Sequence, residues 1–80
     1  MEIRAHGKGF GDERYKALVT ALLDARKAAR LTQAELARAL GRRQQFVSLY
    51  ETGERRLDVV EFCDVARQLG LDPAGLIAAL

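Results

Sequence analysis

The stretch TQAELARALGRRQQFVSLYETG, residues 32–53, predicts two short helices joined by a tight turn. Thr32 and Glu35 have the T-x-x-E spacing of a capping box, in which the hydroxyl and the carboxylate each accept a backbone N–H at a helix start. Gly41 ends the first helix, because glycine adopts a positive φ without a Cβ penalty. Between these signals, apolar side chains at helical spacing predict an inward face made of Ala34, Leu36, Ala37 and Leu40.

The second predicted helix begins at about Gln44 and has two different faces. Val47 and Tyr50, three residues apart, face the interior. The opposite face carries Gln44, Gln45, Ser48 and Leu49, with Arg42 and Arg43 just before it. A glutamine amide can bond N7 and N6 of adenine together in the major groove of DNA. We therefore interpret residues 32–53 as a helix-turn-helix that reads bases with Arg43 and the four side chains of this face.

The order and spacing of these motifs resemble the XRE/Cro (lambda-repressor-like) family of helix-turn-helix transcriptional regulators. TQAELA, the turn residue Gly41 and the V-S-x-Y-E-x-G segment from Val47 to Gly53 carry the resemblance, which extends over roughly residues 14–72. It implies an all-α, compact five-helix DNA-binding domain with the helix-turn-helix at helices 2 and 3. It also implies a structural ion pair between Arg26 and Glu51 that ties helix 1 to helix 3.

Three residues depart from the pattern of that family. Arg30 stands where helix 1 commonly ends in glycine, so a positive φ at this position would be strained. Arg43 replaces the Ser or Thr that often caps the recognition helix; contact with a phosphate or with guanine would compensate, and a solvated surface arginine is the alternative. Leu49 replaces a polar or basic residue, and either contacts a thymine methyl or packs against a neighbouring helix.

Side chains on both sides of helix 3, the second helix of the helix-turn-helix, are expected to bind the DNA backbone. Phosphate contacts fix the register of a protein on DNA without reading its sequence. The loop TGERR, residues 52–56, offers hydroxyl and guanidinium donors. Helix 2 and the turn that follows it offer others. The predicted phosphate ligands are Gln33, Arg42, Thr52, Arg55 and Arg56.

Charge is distributed unevenly along the 80 residues. The net charge of +2 conceals +5 over residues 25–56, from eight basic and three acidic side chains, and −3 over residues 57–80, from one basic and four acidic. Positive charge is thus concentrated on the helix-turn-helix, as a phosphate-binding surface requires.

The hydrophobic content of 49% indicates a globular domain. The single cysteine, Cys63, cannot form an internal disulfide, which fits a cytoplasmic protein.

Local signals divide the chain into a flexible N-terminal arm, residues 1–11, and a helix-turn-helix domain, residues 12–80. Asp12 predicts the start of helix 1, Asp58 with Glu61 that of helix 4, and Asp72 followed by proline that of helix 5. The last helix is too short to be stable unless it packs on something. We expect it to form a homodimer interface through Leu76, Ile77 and Leu80, the alternative being that it only closes its own domain.

The sequence therefore predicts a sequence-specific DNA-binding transcriptional regulator, acting as a repressor and binding double-stranded DNA as a homodimer. The alternative is an antitoxin-like or adaptor protein whose main partner is another protein. We expect no enzyme activity, no cofactor and no metal, because the single histidine, His6, lies in the predicted arm and no metal-ligand cluster or phosphate-binding glycine loop occurs. We also expect no membrane association, because no apolar stretch reaches the roughly 20 residues of a membrane helix.

Overall fold

The computed structural model describes residues 11–80, and these residues form five α-helices. The helices are α1 (Glu13–Ala28), α2 (Gln33–Ala39), α3 (Gln44–Thr52), α4 (Val59–Gln68) and α5 (Pro73–Ala78). The described residues contain no strand, so the predicted all-α, five-helix fold is confirmed. The predicted arm lies outside the described residues except for Gly11. None of the five helices combines the length and the apolar character that a bilayer span requires.

Four of the helices begin with a side-chain cap, as their sequences predict. Asp12 and Asp72 each accept a backbone N–H from two residues ahead, at 2.7 and 3.2 Å. Thr32 and Asp58 open complete capping boxes at the starts of α2 and α4. Each cap satisfies backbone donors that have no partner within the helix. The exception is α3, where no side chain caps the first turn.

Three helices end in a Schellman closure, in which an N–H beyond the helix bonds a carbonyl five residues back. The closing N–H groups belong to Leu31, Arg42 and Leu71, with bonds of 3.2, 2.8 and 2.8 Å. The residue before each one has a positive φ: 59° at Arg30, 69° at Gly41 and 76° at Gly70. Arg30 therefore carries a Cβ in the left-handed region, at a cost of about 1–2 kcal/mol. The strain expected at this position is present.

The core is built from side chains of the first four helices. Its buried apolar residues are Val19, Leu22, Leu36, Ala37, Phe46, Val47, Tyr50, Phe62, Val65 and Ala66. The prediction that Ala34 faces this core is wrong, because Ala34 is exposed while Leu36 is buried. Positions two residues apart lie on nearly opposite sides of a helix, so these two side chains cannot share one face.

Tyr50 lies at the centre of the core and is fully buried. Its ring packs edge-on against Phe46 with 5.5 Å between the ring centroids, and its hydroxyl has no hydrogen-bond partner among the described residues. Burial raises the pKa of Tyr50, so the phenol stays neutral and contributes mainly apolar surface.

The last helix lies at the edge of this core and is only partly covered by it. Leu76 packs against the core, whereas the residues Ile77 and Leu80 are 43% and 54% exposed. Ile77 and Val59 line a cavity of about 190 Å³ that opens between α1, α4 and α5. An apolar surface therefore remains on the face where the sequence places a dimer interface.

Candidate nucleic-acid interface

The third helix separates its buried side chains cleanly from its exposed ones. Phe46, Val47 and Tyr50 are buried in the core. On the other side Gln44 and Gln45 are exposed, Ser48 is half-buried and Leu49 is 36% exposed. Within residues 11–80, no hydrogen bond occupies the amide of either glutamine. The partial exposure of Leu49 is compatible both with a thymine contact and with partial packing against a neighbouring helix. The predicted base-reading side chains lie on the face of α3 opposite its buried side chains.

Arg43 occupies the N-cap of α3 and leaves that helix end without a side-chain cap. Its backbone is extended, with φ −77° and ψ 154°, as a capping residue requires. Its side chain makes no capping bond, so the N–H groups of Gln44 and Gln45 keep their capacity to donate, whereas that of Phe46 donates to the Arg43 carbonyl at 3.0 Å. A guanidinium and free N–H groups at this helix end are both suited to an anion such as phosphate.

The other end of α3 is tied to α1 by the ion pair that the resemblance implies. Arg26 donates from Nε to Glu51 Oε2 at 2.7 Å and from Nη2 to Glu51 Oε1 at 3.1 Å. A third bond, from Arg26 Nη1 to the carbonyl of Leu31, is 2.7 Å long. The two side chains are only 11% and 6% exposed, and the bond to Glu51 raises the pKa of Arg26. This pair fixes α3 against α1.

Gln33, expected to bind phosphate, contributes to the same cluster. Its Nε2 donates to Glu51 Oε1 at 2.8 Å, and the residue is half-buried. The amide retains a second N–H and its carbonyl oxygen, because one bond uses only one of its donors. Gln33 therefore sits at the start of α2 in a fixed orientation, with donor capacity left for a phosphate.

A second tie, which sequence reasoning missed, joins both ends of α3 to α4 through Glu61. Arg55 donates from Nη1 to Oε1 at 2.9 Å and from Nη2 to Oε2 at 2.7 Å, a bidentate pair. Arg42 donates from Nη2 to the same Oε2 at 3.2 Å. Both guanidinium groups also lie over the Phe46 ring, with 4.4 Å from Arg42 and 5.0 Å from Arg55 to its centroid.

Glu61 has two structural roles at once. Its Oε1 accepts the backbone N–H of Asp58 at 3.0 Å, which closes the predicted capping box, while both oxygens bind arginine. The bonds from Arg55, with smaller effects of Asp58 and Arg42, lower the pKa of Glu61 to about 2. The sequence signal for the first role is local, but the second depends on two arginines that lie 19 and 6 residues away.

The remaining predicted phosphate ligands lie at the last residue of α3 and in the loop after it. Thr52 is exposed, and its hydroxyl donates to the carbonyl of Leu49 at 3.1 Å. The guanidinium carbon of Arg56 lies 4.1 Å from the centroid of the Tyr15 ring on α1. The Tyr15 hydroxyl in turn accepts the N–H of Leu57 at 3.0 Å, which holds this loop against α1. The loop is thus anchored beneath side chains that remain exposed.

The side chains of this surface are suited to binding phosphates and base edges. They combine amides, a hydroxyl and guanidinium groups, which donate hydrogen bonds to both. Within residues 11–80, no cluster of three His, Cys, Asp or Glu side chains is placed to hold a metal ion.

Comparison with known proteins identifies the same fold in other chains. Residues 22–76 match the model of a helix-turn-helix family. The structure is similar to that of an XRE-family like protein from Pseudomonas syringae pv. tomato str. DC3000, with 55% sequence identity and a TM-score of 0.78. That match covers 84% of this chain and 82% of the other. No curated protein matches the sequence.

Proposed function

This chain belongs to the XRE family of helix-turn-helix proteins, and from that premise we propose that it is a sequence-specific DNA-binding transcriptional regulator. It acts as a repressor, as a homodimer, in the cytoplasm, and it has no enzymatic activity. The observation that carries this proposal is the division of α3 into a buried face and an exposed face of hydrogen-bonding side chains.

The exposed face enters the major groove and reads base edges. Gln44 and Gln45 have the free amides that bidentate recognition of adenine requires, and Ser48 can bond to several bases. Leu49 supplies the apolar contact that suits a thymine methyl. Arg43, at the start of the helix, binds a guanine or a flanking phosphate. Direct readout of this kind distinguishes all four base pairs in the major groove.

Phosphate contacts on both sides of α3 hold the protein in register. Before α3 they come from Gln33 and Arg42, at its last residue from Thr52, and after it from Arg55 and Arg56. The excess of positive charge over residues 25–56, +5 from eight basic and three acidic side chains, supports this assignment. Arg42 and Arg55 bind their phosphates through the N–H groups that Glu61 does not occupy.

The homodimer forms through the apolar surface of α5. Ile77 and Leu80 are exposed on it, and Val59, 70% exposed at the start of α4, extends it. Leu76 contributes indirectly, by fixing α5 to the core. A two-fold dimer would present two recognition helices to half-sites about 34 Å apart on one side of the duplex.

The decisive experiment is a titration of a fluorescently labelled random-sequence duplex with the protein, followed by anisotropy at several salt concentrations. We expect the logarithm of the association constant to fall linearly with the logarithm of salt concentration, with a slope of about −0.9 for each phosphate contacted. Selection from a randomised library should then yield a palindromic site. Absence of binding at low salt would contradict the proposal.

A second candidate function is an adaptor that binds another protein through the same apolar surface. It is favoured by the exposure of Val59, Val60, Ile77 and Leu80 on the described part of the chain. Sedimentation of the purified protein distinguishes the two functions of this surface. A concentration-dependent dimer that is lost in the variant with Ile77→Ser and Leu80→Ser supports self-association, whereas a monomer at all concentrations supports a different partner.

A further inference from the structure

We infer that Glu61 is a positioning residue for phosphate binding: it holds Arg42 and Arg55 in the orientation in which their remaining N–H groups meet the DNA backbone. This inference rests on the proposed function, and it names a residue outside the helix-turn-helix as part of its binding apparatus.

The geometry places one carboxylate behind two guanidinium groups. The Glu61 side chain is 9% exposed, whereas the side chains of Arg42 and Arg55 are 43% and 39% exposed. Both arginines are restrained twice, by Glu61 and by the Phe46 ring. Since Arg42 precedes α3 and Arg55 follows it, one carboxylate organises cations at both ends of the recognition helix.

Each arginine keeps donors for a second anion. A guanidinium carries five N–H groups. Arg55 donates two from Nη1, to Glu61 and to the Arg56 carbonyl, and one from Nη2 to Glu61, which leaves Nε and one Nη2 donor. Arg42 donates one from Nη2 to Glu61, which leaves four. A phosphate oxygen approaching the exposed edges therefore meets N–H groups rather than the carboxylate.

Two effects of Glu61 on DNA affinity have opposite signs. Holding an arginine in place favours binding, because a flexible side chain must otherwise lose its rotamer freedom when the phosphate binds. The negative charge of the carboxylate opposes binding, because it repels the phosphate and reduces the local positive charge. The positioning effect is the larger one if both arginines bind phosphate in their observed orientation. Replacing Glu61 by its neutral isostere therefore decides between the two effects.

The test compares Glu61→Gln with a matched control, Glu35→Gln, in the full chain. Each variant raises the net charge from +2 to +3, and each keeps a capping box, because glutamine serves at the third position of a helix as glutamate does. Glu35 is exposed, so E35Q reports the effect of charge alone. The probe is the labelled random-sequence duplex described above, with the fraction of folded protein measured by circular dichroism at the assay temperature.

We expect E35Q to bind the duplex slightly more tightly than the unmodified chain, and E61Q to bind it roughly tenfold more weakly despite the same added charge. The slope of affinity against salt should also become shallower by about one to two in E61Q, because the released arginines neutralise fewer phosphates. A purely structural defect would lower affinity in proportion to the folded fraction and leave the slope unchanged.

A second variant tests the geometry at constant charge. Arg55→Lys keeps the cation but cannot form the bidentate pair, since an ammonium is a point charge on a flexible stem. We expect R55K to bind more weakly than the unmodified chain. Binding by E61Q as tight as that by E35Q, or unchanged binding by R55K, would overturn the inference while leaving the proposed function intact. Failure of the unmodified chain to bind the duplex would overturn both.

Discussion

Arg26 and Glu51 join the first helix to the third through two hydrogen bonds of 2.7 and 3.1 Å in a nearly solvent-free contact. Arg26 also bonds the carbonyl of Leu31. A buried charge that loses its partner is costly because water cannot replace that partner. This pair therefore fixes the position of α3 on the rest of the domain.

We expect Glu51→Ala to lower the free energy of unfolding by about 3–5 kcal/mol, because it leaves the Arg26 guanidinium buried without its counter-charge. Urea denaturation followed by circular dichroism measures the effect. The double variant Arg26→Met with Glu51→Leu should lose less, since it leaves no unpaired charge. A loss below about 1 kcal/mol in E51A would mean that the pair is solvated like a surface ion pair.

Arg30→Gly should stabilise the protein by about 1 kcal/mol, because it removes a Cβ from the left-handed region at the end of α1. The measurement is the midpoint of thermal unfolding, which should rise by about 4–8 °C for a domain of this size. Arg30→Ala is the control, since it removes the charge but keeps the Cβ. Equal stabilisation by alanine would show that the charge, not the backbone, is the source of the effect.

Arg43→Ser should stabilise the protein and weaken its binding to DNA. Serine at the N-cap accepts a free N–H of α3, worth about 1 kcal/mol, and the lost guanidinium removes a DNA contact. Thermal unfolding and duplex anisotropy give the two quantities. Arg43→Ala should weaken binding to the same extent without the gain in stability. If R43S bound DNA as tightly as the unmodified chain, Arg43 would be an ordinary surface residue.

Gln44→Ala and Gln45→Ala should each relax base preference at particular positions of the selected site, by about 1–3 kcal/mol for a lost bidentate contact. Affinity for every single-base variant of that site gives the measurement. Arg55→Ala is the contrasting variant, because loss of a phosphate contact weakens all sequences alike and makes the salt slope shallower by about one. An unchanged preference in both glutamine variants would assign the reading of bases to other residues.

The Glu61 cluster should make stability depend on acid pH. The folded-state pKa of Glu61 is about 2, against an ordinary value of 4.5, so folding favours the ionised form. A lowered pKa stabilises the fold fully above pH 4.5, and this stabilisation is lost as pH falls towards 2. The midpoint of urea unfolding should be measured for the unmodified chain and for E61Q from neutral pH down to about pH 2. We expect the difference between the two midpoints to decrease as the pH falls from 4.5 towards 2. A difference between the two midpoints that did not change with pH would show that Glu61 does not titrate in this window.

Features that depend on neighbouring residues could be predicted from the sequence. The starts at Asp12, Thr32, Asp58 and Asp72 are confirmed, because a cap bonds only two or three residues ahead. The family could be predicted for the same reason, because its motifs combine such local signals. Comparison with known proteins confirms it. The positive φ at Arg30 follows from the resemblance and is also present.

Features that depend on distant side chains could not be predicted from such local signals, and the Arg26–Glu51 pair is implied only by the resemblance to the family. The sequence predicts that Gln33 binds phosphate, but it does not predict the bond from Gln33 to Glu51, which lies 18 residues ahead on another helix. Glu61 was expected only to cap α4, and its pairing with Arg42 and Arg55 arises from how α3 and α4 pack. Neither set of hydrogen bonds follows a helical period or a motif spacing that can be recognised in a single sequence. The DNA contacts and the dimer remain predictions.

The restraints on α3 lie almost wholly outside its exposed face. Glu51 ties the helix to α1, Arg42 and Arg55 bracket it from the turns on either side, and Phe46 anchors it in the core. Substitutions at Gln44 and Gln45 therefore disturb little that holds the domain together. Under the proposed function, a lineage carrying this scaffold would change its operator by exchanging a few surface side chains, and a protein engineer could randomise the same positions without redesigning the fold.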